Sequence, residues 1–272
     1  MSGPQRPPPH RLLTTAVTAA VCLTLCSLYA HAVDAGDAAA RALLAEMERH
    51  HATGWQGGEA RTSLTLRLAN AKERTWVLVT RSDRDGARLR SRATFVEPAD
   101  SRGVELLVLE EKAGSTVQYL YLPKTRRTRR IGGSQRNAPF MGTDFSFADL
   151  QGGGWGAQAD VSALADEAVG GTACHHLLLA FRPGADVAYG KLELWLARSD
   201  KLPRRIRFFD GDGKLAKTLL VEEVETIANK PVLRRLRMEN HLRGSVTTVR
   251  VDSIEPAKRF PAAIFVPASL GN

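Results

Sequence analysis

Cys174 and His176 have the most metal-like spacing in this chain of 272 residues. Alternate residues of a strand share a face, so two such ligands can begin a metal site. No other cysteine or histidine stands at a matching interval, so a buried thiol beside a partnered histidine is the expected arrangement. His50 and His51 close a helical pattern and suit the negative end of its dipole. Asp210-Gly211-Asp212-Gly213 opens like a calcium loop, but the bidentate glutamate required at the twelfth position is replaced by Val221. With strands on both sides the motif reads as a hairpin turn. Asp144 and Asp149 have the form of a carboxylate pair for acid–base work. Asp144, however, precedes residues 145–150, a candidate short helix that it would N-cap, and spacing gives Asp149 no role. Gly152, Gly153, Gly154 and Gly156 surround Trp155. No apolar strand feeds them and no Lys-Ser/Thr helix follows, so they read as a mobile flap and not as a phosphate cradle. Nucleophile-elbow, zincin and dinucleotide signatures are absent as well. No enzyme, metal site or cofactor is expected.

The remaining chemistry is charge. Lys124, Arg126, Arg127, Arg129 and Arg130 crowd one stretch beside an aromatic-rich segment. Their spacing is partly two and partly three, so they cannot share one face of a strand. Some must line a rim or meet an anion. Residues 1–32 are the source of a restriction on which anion. Arg6 and Arg11 precede an apolar run, Leu12 to Tyr29, which ends in Ala30-His31-Ala32, the pattern of a cleavable secretory signal. Its removal takes two arginines and no acid, lowering the formal net charge from +9 to +7. It also leaves Cys174 as the one cysteine, so no internal disulfide forms and the core alone must hold residues 33–272 together. A basic exported protein meets phospholipid headgroups and other envelope polymers in place of nucleic acid.

These groups sit on a chain that is mostly strand. Ala39, Leu43, Leu44 and Met47 recur at helical spacing between Ala38 and His50. After Gly57-Gly58 the period becomes two, as in Leu64, Leu66 and Leu68, and one apolar face against one charged face indicates an antiparallel, half-covered sheet. About eleven strands are expected, in a single domain covering residues 33–272.

Within that frame the basic and aromatic stretch gains a meaning. Arg130-Ile131, Phe140-Met141-Gly142-Thr143-Asp144-Phe145 and Asp149-Leu150 closely resemble blocks of the outer-membrane lipoprotein-sorting (LolA/LolB-like) periplasmic carrier family, in its uncharacterised branch. Further matching pieces follow in order: Pro98-Ala99-Asp100, Leu194-Trp195-Leu196, Leu202-Pro203, Asp212-Gly213-Lys214-Leu215 and Phe265-Val266-Pro267. The resemblance implies an α+β fold, a strongly curved antiparallel sheet forming an incomplete β-barrel that covers short helices. It implies a monomeric, non-catalytic periplasmic carrier of the acyl chains of a lipid or lipoprotein, with an inner-membrane transporter as a further partner. The alternative is an accessory module that docks on such a transporter or on an anionic membrane surface without cargo. For a carrier, Phe140, Met141, Phe145, Phe147 and Trp155 are the expected movable lid, and Arg130 the rim group that meets the anionic end of the cargo. Export is directly testable. N-terminal sequencing of the protein from the envelope fraction should begin at Val33, and Met1 retained in membranes would contradict the cleavage.

Overall fold

Strict alternation makes the strands. In β1 (Gly58–Arg67) Ala60, Thr62, Leu64 and Leu66 are buried while Arg61 and Arg67 are exposed. The strands β2 (Glu73–Asp85), β3 (Arg88–Glu97), β4 (Glu105–Glu110), β5 (Thr116–Leu122) and β6 (Arg127–Ile131) follow. After a connector over residues 132–158 come β7 (Ala159–Val169), β8 (Thr172–Phe181), β9 (Lys191–Ala197) and β10 (Pro203–Phe209). β11 (Leu215–Ile227), β12 (Lys230–Asn240) and β13 (Ser245–Glu255) complete the set. The computed structural model describes residues 37–49, 57–86, 88–111, 115–151, 153–256 and 258–272. The export segment 1–32, Val33, His50, His51 and Gly152 lie outside the described residues.

All thirteen strands join one antiparallel sheet in the order β6-β5-β4-β3-β2-β1-β13-β12-β11-β10-β9-β8-β7. The chain meanders from β1 outward to one edge, crosses through the connector to the other edge, and meanders back until β13 pairs with β1. Leu64 lies opposite Val249 at that central seam. The count of eleven is therefore corrected to thirteen. The two further strands are the edges, β6 and β7, and the reason is physical. An edge strand has little to bury, and four of the five β6 residues are exposed, as is most of the second half of β7. β6 carries no apolar alternation by which a strand is read, and β7 carries it only at Ala159 and Val161.

The concave face holds two core clusters. Leu177, Leu179, Leu192, Leu194, Ile206, Phe208 and Met238 form one, and α1 (residues 37–49) packs against it through Ala40, Leu44 and Met47. Ala40 takes the place foreseen for Ala39, which is exposed. Leu64, Trp76, Leu78, Phe95, Leu106 and Ile131 form the other, and Leu150 and Val249 touch both. On the convex face the C-terminal tail packs Phe265 and Leu270 on Leu107. Cys174 is buried on that side beside Trp195, with its thiol directed at the Thr172 carbonyl.

The tail is fastened by a buried ion pair. Arg92 Nη2 donates to both carboxylate oxygens of Glu105 at 2.7 and 2.8 Å, and its Nη1 reaches the Ile264 carbonyl. Glu105 also accepts the Gly271 N–H at 2.8 Å. Removing one partner strands the other charge in low dielectric. Arg92→Ala should lower unfolding free energy by ~3–5 kcal/mol in urea titrations, whereas Arg92→Met with Glu105→Leu should recover most of that loss.

Candidate functional site

A curved sheet with two free edges leaves its concave apolar face open, and the connector that links the edges runs back across it. Its path is set by short turns. The Phe140 N–H donates to the Phe145 carbonyl at 2.7 Å, and the Thr143 hydroxyl to the Phe140 carbonyl at 2.7 Å. Closing so tight a loop places Met141 (φ 51°) and Gly142 (φ 78°) in the left-handed region, which glycine enters without strain.

Asp144 fixes this loop to the sheet. Its carboxylate, fully buried, accepts the hydroxyls of Ser245 at 2.6 Å and Thr247 at 2.8 Å, both from β13. Its own N–H donates to Thr247 Oγ1 at 3.0 Å, and Arg243 reaches the carbonyls of Gly142 and Thr143. The N-cap role foreseen for Asp144 is thus corrected. Residues 145–148 are not helical, Ser146 bridges back to Pro139, and only Asp149–Gln151 form a 3-10 turn. Donors from β13 use the carboxylate in place of helix N–H groups.

Asp149 has the partners that spacing could not show. With its side chain 4% exposed, it accepts the Ser146 N–H at 2.8 Å, the Tyr189 hydroxyl at 2.9 Å and Lys217 Nζ at 3.1 Å. Burial, and then the Asp149 charge, push the Tyr189 phenol far up, so it remains a proton donor. The one signal in the sequence is Lys217 itself, a cation between Leu215 and Leu219 where the β11 alternation calls for an apolar residue. The far end of the connector is held from α1. Glu48 accepts the N–H groups of Trp155 at 2.8 Å and Gly156 at 3.2 Å. The stretch read as a flap is therefore pinned at Trp155, which is buried.

Beneath the connector lies a cavity of about 360 Å³ at the β1–β13 seam. The inward residues of β1–β4 and β10–β13 line it, among them Leu64, Leu78, Leu106, Phe208, Leu236 and Val249. Phe140, Phe145, Asp149, Leu150 and Trp155 line it from the connector side. Of the residues foreseen as a lid, Phe140, Phe145 and Trp155 meet at this cavity. Phe147 packs edge-on against Phe140 with ring centroids 5.4 Å apart, one layer behind the lining, and Met141 is half-buried against the second cluster. Arg130 stands apart from them. It lies opposite Tyr119, which lies opposite Leu107, and these share the convex face with the C-terminal tail.

A family model for uncharacterized DUF1329-like proteins matches residues 89–272, about two thirds of the chain. The chain belongs to the DUF1329-like family. Its fold matches a DUF1329 family protein from Desulfovibrio piger at a TM-score of 0.77 and 24% identity, covering 86% of this chain and 99% of that one. A putative outer membrane lipoprotein-sorting protein domain from Vibrio parahaemolyticus matches at 0.77 and 23%, with the same coverage. A LolA superfamily protein from Nitrosomonas europaea matches at 0.64 and 20%, covering 84% and 97%. The DUF1329-like chain thus has a LolA-like fold. No curated protein sequence matches it. Among the described residues no helix is long and apolar enough to cross a membrane, and no cluster of three or more His, Cys, Asp or Glu is placed to hold a metal ion.

The tether at Glu48 has a pH signature. Burial pushes its carboxyl above the ordinary value of 4.5, against the opposite pull of the N–H groups of Gly156, Trp155 and Gly154. A raised folded-state pKa contributes stability that is complete below the ordinary value and lost as pH rises through the folded one. From acid toward neutral pH, the wild type should lose stability relative to Glu48→Gln, which keeps an acceptor oxygen. A stability difference between the two that stays constant with pH would contradict the burial of this charge.

Proposed function

We propose that this chain is a non-catalytic periplasmic carrier that holds the acyl chains of a lipid or lipoprotein in the seam cavity. The observation that carries the reading is the cavity itself, apolar on nearly every side and partly covered by a segment tied down through side-chain contacts. Its volume lies at the lower end of the usual range for small-molecule sites, roughly 300–1,000 Å³. Displacing the aromatic cover would enlarge it. An acyl chain gains ~0.8 kcal/mol for each methylene removed from water, so a cargo of ordinary length offsets the cost of moving several buried rings. Phe140, Met141, Phe145, Phe147 and Trp155 act as the lid. Lys217, paired with the lining residue Asp149, is the cation placed to meet an anionic end of the cargo. The LolA-like fold and the export pattern of residues 1–32 support the same reading.

Titration with a dansyl-labelled fatty acid tests it. Phe145→Ala combined with Trp155→Ala should weaken binding about tenfold or more while the protein still melts cooperatively. Arg130→Ala, on the opposite face, should leave the affinity unchanged. Unaltered binding by the double variant, or no binding by the wild type, would overturn the proposal.

A further inference from the structure

The basic run that stands out in the sequence is not used by the cavity. It forms β6, an edge of the sheet whose only hydrogen-bonded neighbour among the described residues is β5. Alternate backbone N–H and C=O groups of such a strand point away from the sheet and can pair with an added strand. Arg127, Thr128, Arg129 and Arg130 are all exposed, and Arg126 precedes them in the turn. None of these four arginines meets a carboxylate among the described residues, whereas most arginines elsewhere on the sheet do.

The faces decide what such an edge fits. Arg127 and Arg129 lie opposite Leu122 and Leu120, on the concave side, while Arg130 lies opposite Tyr119 on the convex side. The guanidinium groups therefore straddle the edge. A flat membrane would engage one face of the strand. A strand added alongside presents its own side chains to both. We infer that β6 is an open docking edge for an extended acidic segment of another protein, which would join the sheet as one further antiparallel or parallel strand.

A second copy of this chain is a poor occupant. The opposite edge, β7, carries acids, but Asp160 is paired with Arg182, Asp166 with Arg198, and Glu167 with Arg205. Two β6 edges would repel each other. The proposal stands independently of the cargo reading, since these side chains do not line the cavity.

Binding of a short fluorescent peptide alternating glutamate and valine to the full chain tests the idea by anisotropy. Two comparisons accompany it: the protein with Arg127→Gln, Arg129→Gln and Arg130→Gln together, and a peptide of equal charge whose central valine is proline. The expected result is saturable binding that weakens about tenfold in the triple variant and is abolished by the proline, which removes a strand donor. Equal binding of the proline peptide would reduce the edge to unspecific charge and overturn the proposal. So would absence of peptide binding with charge-dependent binding to phosphatidylglycerol vesicles, or self-association lost in the triple variant.

Discussion

The buried carboxylate of Asp144 is the interaction on which the placing of the connector depends. A charge with no solvent exposure is unfavourable by several kcal/mol unless its lone pairs are satisfied. Here Ser245 and Thr247 of β13 supply the donors, and Arg243 adds a third approach. Because those donors sit on the central strand, the carboxylate ties the middle of the connector to the middle of the sheet. Phe140 and Phe145 then fall on either side of it, one into each core cluster. Without this tie, the cover would be held only at its flanks, by Asp149 and Glu48 among others.

The cavity follows from that arrangement. Each half of the sheet packs its own cluster, and the seam between β1 and β13 is spanned by the connector through Leu150 and by Val249, the two side chains common to both clusters. Space remains where the halves meet. The polar contacts holding the cover include Asp144 at its centre, Asp149 with Tyr189 and Lys217 beside it, Gln118 on the Phe147 carbonyl, Arg136 on the Thr116 carbonyl, and Glu48 at its end. Each ion pair or hydrogen bond of this kind contributes modestly to net stability, typically ~0.5–3 kcal/mol. In the proposed carrier such a cover detaches while the strand ladder persists, because side chains supply most of its polar contacts with the sheet.

Much of this could be read in the chain. The eleven strands with an apolar face were legible from Leu64-x-Leu66 and Ile206-x-Phe208, because burial on one side writes itself as a period of two. β6 and β7 were not, because an edge strand is specified by its neighbour's hydrogen bonds more than by its own side chains. α1 showed its period at Leu43, Leu44 and Met47, and only at its first turn does Ala40 replace the expected Ala39. Asp144 misled, since an aspartate before an apolar run is a good cap signal and its true donors lie about a hundred residues away. The Asp149–Lys217 pair was hidden for the same reason. Spacing along the chain reports local partners, and the chemistry of this site is built from distant ones. The aromatic block was legible as a unit, but the run of arginines beside it did not reveal which side of the sheet each would face.

The central claim is the proposal that the space under the connector takes acyl chains. Mass spectrometry of an organic extract of the protein, purified without detergent from the envelope, tests it most directly. The account predicts acyl lipid in near-stoichiometric amount, lost when the protein is unfolded before purification. An extract with no acyl lipid above that control would contradict it.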